Sequence, residues 1–409
     1  MSLIETEPTE TAQDRLWDRA GGWRGVGTAV GILALTRIGQ IIMLLWLGAV
    51  AHDGAGLRGR LLVWDAGWFL RVAVDGYPHG YSYGPGDQLE GNGLAFFPLY
   101  PMLIRGVSAF GLDAGTAAIA VSWIASIGAA VALHLLGTSL SGRRAGWALV
   151  AICCSAPVSV VLSMAYSESL FLALVAGMLV AAHRQVWWAA GLLGLAAALT
   201  RPTGLAAALG LAVAALLAVR DARRAPAGAG AGIAGIPRST PSGGTWQPLV
   251  AAAVALAGVP AFLGWVGWRV GDLDAWFRIQ SAGWGTSFDY GASTASFLYR
   301  TLTRGEGWVP MSVALILLAA AAAAGVALTR RWWPPLTVYG LIAMILVYGQ
   351  AGFYHSKPRL LLPVLLTLLP AAVAAARTRP RVAVLSITAW ALFGLWYGAY
   401  LLVVWPYTI

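Results

Sequence analysis

Apolar runs separated by short polar connections make up most of the chain. Several runs reach the roughly 20 residues that an α-helix needs to cross a bilayer. They lie at about 26–51, 115–138, 145–163, 168–183, 186–200, 203–219, 249–270, 307–328, 333–349, 359–376 and 382–404. This pattern predicts an all-α polytopic membrane protein with about eleven spans.

One further apolar run, 95–112, is interrupted by Pro98, Pro101 and Arg105. Proline disturbs a helix interior, and a charged side chain is costly inside a bilayer. We therefore predict an interfacial or re-entrant helix here, within a long first loop at 52–114. Counting it as a span would invert the topology of everything that follows.

Composition agrees with a lipid environment. Hydrophobic residues make up 59% of the chain, charged residues only 11%, and the mean hydropathy is +0.72, whereas soluble proteins carry about 25% charged residues. Cys153 and Cys154 are adjacent within an apolar run, which is typical of packing residues and not of metal ligands.

The net charge of +10 comes almost entirely from arginine placed between the apolar runs. Such a distribution fits cytoplasmic loops of a membrane protein and argues against a nucleic-acid partner. With the N-terminus in the cytoplasm, the arginine-rich connections near 143–144, 184, 220–224, 330–331 and 377–381 all fall inside. The first run is too long for a cleaved signal peptide, so we expect an uncleaved first span.

The same alternation divides the chain. We predict a cytoplasmic tail at 1–25 and an N-terminal membrane bundle at 26–219. A Gly-, Ala-, Pro- and Ser-rich segment at 220–248 predicts a flexible cytoplasmic linker. A C-terminal bundle follows at 249–409, with extracytoplasmic loops at 271–306 and 350–359.

Asp65 lies between Trp64 and Trp68 in the first outer loop. Indole rings favour the membrane interface, and a poorly hydrated carboxylate is suited to general base catalysis. Asp65 could equally cap a short helix over 66–74. The two tryptophans are candidate substrate contacts.

Two more candidates lie in this loop. Asp75 precedes a Gly-Tyr-Pro turn, so it either ends a helix or contacts substrate. Tyr100 belongs to the proline-rich segment 96–101, which forms either the wall of a groove for a lipid chain or an interfacial anchor.

Glu168 and Arg201 each begin an apolar run on the outer side. Glu168 either complements a helix dipole or accepts a sugar hydroxyl. Arg201 departs from the positive-inside rule, which indicates a partner: either Glu168 or a phosphate.

Three potential cations, His355, Lys357 and Arg359, lie within five residues on the predicted outer side, and Lys357 is the only lysine of the chain. They predict a phosphate site or an anchor to anionic lipid headgroups. In the aromatic loop 271–306, a second interfacial helix would carry Arg278 and Gln280 towards the same cavity.

Three blocks of residues together resemble a known family. They are Trp64-Asp65-Ala66 with Asp75-Gly76-Tyr77 and Ala95-Phe96-Phe97-Pro98-Leu99-Tyr100-Pro101, then Ala165-Tyr166-Ser167-Glu168-Ser169, then Leu199-Thr200-Arg201-Pro202-Thr203-Gly204. In this order and spacing they resemble the PIG-V type mannosyltransferases of the GT-C superfamily. A later block around Ser356-Lys357-Pro358-Arg359 resembles bacterial members.

The resemblance implies a GT-C helical bundle with interfacial helices in its first outer loop. It implies an integral-membrane glycosyltransferase with a polyprenyl-phosphate-mannose donor, a lipid-linked or glycolipid acceptor, and Asp65 as the catalytic carboxylate. The phosphate would be held by Arg201, His355, Lys357 and Arg359, and neither a cofactor nor a metal is expected. The arginine- and alanine-rich composition points to a bacterial member at the cell membrane, acting extracytoplasmically. Alternatives are a GT-C enzyme for another sugar and a transporter.

Overall fold

The computed structural model describes residues 12–52, 54–224, 245–305, 307–330 and 332–408. Within these ranges the chain is mostly helical with almost no strands, which confirms the all-α prediction. The helices are α1 (Ala12–Ala20), α2 (Gly22–Val50), α3 (Gly56–Leu61), α4 (Asp65–Asp75), α5 (Leu99–Ser108), α6 (Ala114–Ser141), α7 (Arg143–Cys154), α8 (Glu168–His183), α9 (Trp187–Ala198), α10 (Gly204–Arg224), α11 (Trp246–Val270), α12 (Ala275–Trp284), α13 (Ala292–Arg304), α14 (Trp308–Thr329), α15 (Pro334–Gly349), α16 (Lys357–Leu361), α17 (Leu365–Arg377) and α18 (Pro380–Val403). Short 3₁₀ helices lie at Gly93–Ala95, Ser159–Leu162 and Tyr354–Ser356, and strands β1 (Ser82–Tyr83) and β2 (Leu89–Glu90) form an antiparallel ribbon.

Six of these helices, α2, α6, α10, α11, α14 and α18, are long and apolar enough to cross a membrane. A seventh crossing results if the pair Tyr354–Leu361 and Leu365–Arg377, bent by 57°, forms one span. Helices α8, α9 and α15 are apolar but shorter. The polytopic fold is confirmed, with fewer full-length crossings than the eleven predicted.

The predicted span 145–163 is one of those that do not form a single long helix, which lowers the number of membrane crossings. Helix α7 ends at Cys154, and turns with a 3₁₀ helix follow. Pro157 disfavours helical geometry in the residue before it. The side chain of Arg37 on α2 bonds the carbonyls of Cys154 and Ser159, which satisfies backbone acceptors at this break.

Of the predicted linker 220–248, residues 220–224 belong to α10 and residues 246–248 to α11. Residues 225–244 are outside the described residues, as are residues 1–11 of the tail. Between the first two long helices, the loop carries α3, α4, the ribbon and α5. Helix α5 has ten residues, too few to cross a bilayer, in agreement with the prediction for 95–112. Arg105 on α5 donates to the Ala73 carbonyl at 2.8 Å and so ties α5 to α4.

Small residues allow the helices to pack closely. On α9, an added Cβ at Gly191 or Gly194 would lie 2.9 Å from Ala251 or 2.7 Å from Ala255 of α11. Close backbone contact between small residues is a common way for helices to associate in lipid. Large apolar side chains such as Leu35, Leu385 and Leu392 face outwards instead.

The first loop rests on the C-terminal half of the chain. Arg269 at the end of α11 donates to the carbonyls of Pro78 at 2.7 Å and Tyr77 at 2.8 Å. The ring of Phe97 packs against Phe262 of α11, with 4.5 Å between ring centroids. Helix α11 is thereby held against the loop that carries Asp65.

Candidate active site

Asp65 is the first residue of α4, and the preceding Trp64 has φ of 56° and ψ of −114°. Positive φ is rare outside glycine, and such conformations concentrate at functional sites. The Asp65 side chain makes no capping bond to α4; its Oδ2 accepts from Arg359 Nη2 at 2.6 Å. The alternative that Asp65 caps the helix is therefore not what the structure shows.

Glu168 opens α8 and is 2% exposed. Its Oε1 lies 2.5 Å from Nη1 of Arg201, in the turn that leads into α10. Of the two partners expected for Arg201, the structure thus shows Glu168. A carboxylate buried this deeply needs such a cation.

Arg359, on α16, joins the two carboxylates. Besides its bond to Asp65, its Nε lies 3.8 Å from Oε1 of Glu168. Its guanidinium lies over the ring of Tyr166, 5.2 Å from the centroid, in a cation–π contact. The Tyr166 hydroxyl accepts from the backbone N–H of Asp65 at 3.3 Å. Nη1 of Arg359 is buried and has no hydrogen-bond acceptor among the described residues.

These groups line a partly open cavity of about 190 Å³. The segments before or at the start of α4, α8 and α10 all reach it, through Asp65, Glu168 and Thr203. Helix N-termini carry partial positive charge and unpaired N–H groups, which stabilise carboxylates and bind phosphates. With the cations of Arg201, Arg359 and Lys357, the cavity holds an excess of positive charge over its two carboxylates.

Lys357 and His355 are placed differently from the prediction. Lys357 lines the cavity, but its Nζ donates to the carbonyls of Val347 at 2.7 Å and Gln350 at 2.6 Å, at the C-terminal end of α15. His355 lies outside the cavity lining, and its Nε2 is 3.0 Å from the Thr408 hydroxyl. Both side chains support the local structure that carries Arg359.

Three further candidates, Trp64, Trp68 and Asp75, do not line the cavity. Trp64 carries the unusual backbone, and Trp68 stacks on Phe96, with 6.1 Å between centroids. Asp75 is exposed at the far end of α4. These three residues can act on the cavity only through their neighbours.

Tyr100 is fully buried and bonds Ser122 at 2.7 Å; burial raises the pKa of its hydroxyl. Arg278 points to a different face of α12 from the cavity and pairs with Asp272 at 2.8 Å. Gln280, two positions further on, lines the cavity because successive helical residues are rotated by about 100°.

Several lining residues carry no chemical marker in the sequence. They are Phe69, Ala95, Thr200, Thr203, Trp276, Trp284, Thr286, Gln350 and Phe353. Aromatic enrichment of 271–306 was the one available signal for Trp276 and Trp284. Among the described residues there is no group of three or more His, Cys, Asp or Glu side chains placed to hold a metal ion.

Residues 48–218 match the family described as Mannosyltransferase (PIG-V). Over 162 residues the chain is 35% identical to GPI alpha-1,6-mannosyltransferase 2 of Cricetulus griseus, and over 161 residues it is 34% identical to the Mus musculus protein of that name. Each alignment covers 37% of this chain and 30% of the relative, so the chain aligns with less than a third of these relatives' length. The predicted family resemblance is confirmed for this part of the chain, which contains Asp65, Glu168 and Arg201.

Proposed function

We propose that this protein is an integral-membrane mannosyltransferase that moves mannose from a polyprenyl-phosphate donor to a lipid-linked or glycolipid acceptor. The observation that carries the proposal is the meeting of Asp65, Glu168, Arg201 and Arg359 in one cavity. Three of these four lie in the segment that matches the mannosyltransferase family. The cavity joins a candidate base to cations suited to a phosphate.

Asp65 is the general base of the proposed reaction. Only its Oδ2 accepts from Arg359; Oδ1 accepts no hydrogen bond within the described parts of the chain. Oδ1 takes the proton of the acceptor hydroxyl while the acceptor oxygen bonds to the anomeric carbon of mannose. The bond between that carbon and the phosphate oxygen breaks, and its electron pair leaves with the lipid phosphate, which inverts the anomeric configuration.

Arg359 and Arg201 bind the donor phosphate and stabilise the charge that develops on it. The Nη1 of Arg359, buried without an acceptor, supports this role because a phosphate oxygen would satisfy it. A monophosphate leaving group needs less charge compensation than a diphosphate, so we propose that no metal takes part. Transfer should then persist in the presence of EDTA.

We further propose that the cavity faces the extracytoplasmic side of the membrane, with the N-terminus in the cytoplasm. Every segment that lines the cavity belongs to a connection that the arginine pattern assigns to that side. At the opposite helix ends, the Arg143 side chain donates to the Arg19 carbonyl at 3.1 Å, which places two cytoplasmic-type segments together. Sealed right-side-out vesicles should therefore transfer mannose from donor added outside, and inverted vesicles should not.

Replacing Asp65 by Asn tests the proposed base. The amide keeps an oxygen for Arg359 but cannot accept the proton, so we expect transfer to fall by about 10²–10⁴-fold. The measurement is label transfer from polyprenyl-phosphate [³H]mannose to lipid in membranes that contain equal amounts of each protein.

Asp87→Asn is the matched control, because Asp87 is exposed in the same loop and has φ of 54°, which Asn tolerates. Its transfer rate should equal that of the wild type. Wild-type turnover by Asp65→Asn would remove Asp65 from the mechanism. A labelled product with glucose or arabinose donors, and none with mannose, would favour a related enzyme for another sugar.

A further inference from the structure

The cavity has a second, uncharged side that the proposed phosphate and proton chemistry does not use. It is formed by Trp276, Gln280 and Trp284 of α12 together with Phe96 and Thr286. All but Phe96 lie outside the segment that matches the mannosyltransferase family. Aromatic walls with a few placed polar atoms are typical of sites that orient a small ligand.

Gln280 presents one polar atom to this side. Its Nε2 donates to the Ala95 carbonyl at 3.0 Å, and the indole N–H of Trp276 donates to the same oxygen at 3.3 Å. A carbonyl only accepts hydrogen bonds, so the amide nitrogen must face Ala95. The side-chain oxygen Oε1 accepts no hydrogen bond from any described residue and remains available in the cavity wall.

Trp284 forms the flat part of the same wall. Its ring is held edge-on by Phe96, at 5.3 Å between centroids, and by Trp68, at 5.7 Å. Phe96 is in turn packed by Phe69 at 4.9 Å. The indole is therefore fixed from two sides while it still lines the cavity.

The position of this wall indicates which part of a substrate it meets. Asp65 and Phe69 are four residues apart on α4, a rise of about 6 Å, and both line the cavity. Because Phe69 packs against Phe96, the uncharged side begins about one helical turn from the proposed base. A sugar whose anomeric carbon lies beside Asp65, with its phosphate at the arginines, places its ring within reach of this wall.

We infer that Gln280 is a specificity-determining residue that accepts a hydrogen bond from one hydroxyl of the donor hexose through Oε1, with Trp284 as the surface on which the sugar ring stacks. This assignment rests on the proposed function. In this assignment, residues of α12 recognise the sugar, whereas the base and the phosphate-binding cations lie on other segments.

The test compares the wild type and one enzyme variant with a set of modified donors, in the manner of a double-mutant cycle. Gln280→Met keeps the length of the side chain and removes the acceptor together with the donor to Ala95, whose carbonyl still accepts from Trp276. We expect kcat/KM with polyprenyl-phosphate mannose to fall about tenfold, as for one hydrogen bond. Donors that carry 2-, 3-, 4- or 6-deoxymannose are then compared with both enzymes. With one of these donors, the kcat/KM of the wild type should fall by about the same factor as with Gln280→Met. The kcat/KM of Gln280→Met should be no lower with that donor than with mannose.

Ser281→Ala, an exposed neighbour on α12 that does not line the cavity, is the control and should match the wild type with every donor. If all four deoxy donors reduce the rates of Gln280→Met and wild type by equal factors, Gln280 contacts no sugar hydroxyl and the assignment is overturned. A wild type that transfers no mannose would overturn the proposed function and this inference with it. The two failures are thus distinguished by wild-type activity alone.

Discussion

Residues 48–218 and residues 246–408 build the two sides of the cavity with different chemistry. The N-terminal part contains Asp65 and the internal pair of Glu168 with Arg201. The C-terminal part supplies Arg359, which reaches Asp65 across 294 positions of the chain, and the sugar-facing side of α12. The first part therefore holds carboxylates and their own cation, and the second supplies a cation and a recognition surface.

Because the two parts contribute different residues, sequence similarity that is limited to one part covers only some of the residues of the cavity. The family match ends at residue 218, before α12 and α16 begin. Asp65 and Glu168 lie within the matched segment, whereas Arg359 and the residues of α12 that line the cavity lie outside it.

Exchanging the two arginines for methionine should give opposite patterns of loss. Arg359→Met removes a cation from the phosphate site, and we expect kcat/KM to fall by about 10²–10³-fold. Arg201→Met leaves Glu168, 2% exposed, with only a 3.8 Å contact to Arg359. Removal of one partner of a buried pair destabilises by up to about 3–5 kcal/mol, so stability should suffer more here. Transfer kinetics and thermal unfolding of the purified protein in detergent measure the two losses.

Arg359→Lys is the companion variant, because it keeps the charge and loses the planar fork that binds an oxyanion at two points. It should recover part of the activity of Arg359→Met. Equal losses of activity and of stability in both methionine variants would show that the two arginines are interchangeable, and that the proposed division between the parts is wrong.

The contact between the two parts can be altered without changing any charge. An added Cβ at Gly91 would lie 2.6 Å from the Cα of Gly283 and 2.8 Å from the ring of Trp284. Gly91→Ala should therefore displace the end of α12, and a shift of about 1 Å at a reacting site can cost up to about a hundredfold in rate. We expect kcat/KM to fall by roughly ten- to a hundredfold, measured with polyprenyl-phosphate mannose.

Gly80→Ala is the matched control in the same loop, since no heavy atom lies within 4 Å of its added Cβ. Its kinetics should remain those of the wild type. Normal kinetics for Gly91→Ala as well would mean that the position of Trp284 does not affect transfer.

The sequence allowed the charged side of the cavity to be predicted, together with Gln280 of its uncharged side, but not Trp276 or Trp284. Asp65, Glu168, Arg201 and Arg359 are charges in an apolar chain, and the arginine pattern assigns their loops to one side of the membrane. That these side chains contact one another is shown only by the fold. Trp276 and Trp284 are uncharged and lie on a helix whose rotation about its axis is set by packing against Ala95 and Phe97.

The hydrogen-bond partners of several predicted site residues could not be inferred from the sequence either. The sequence does not show that the Nζ of Lys357 donates to two carbonyls at the end of α15. Tyr100 belongs to a segment predicted as a groove wall or an interfacial anchor. In the structure its hydroxyl is hydrogen-bonded to Ser122 inside the bundle. The eleven predicted spans likewise depended on apolar length, which does not reveal that Pro157 ends α7 early.

The smallest effect is expected where the two parts meet at the surface, at Asp272. Its carboxylate accepts from the Tyr81 hydroxyl at 2.5 Å and from Arg278 at 2.8 Å. The bond from Tyr81, then the N–H of Asp274 and Arg278, lower the pKa of Asp272 below its ordinary value of 3.8. Because the folded-state pKa is depressed, the stabilisation is present above pH 3.8 and is lost as the pH falls through the folded-state pKa.

Asp272→Asn should unfold at a slightly lower temperature than the wild type at pH 7, and the difference should vanish in acid. A difference that persists unchanged at low pH would mean that the charge of Asp272 does not hold the first loop to α12.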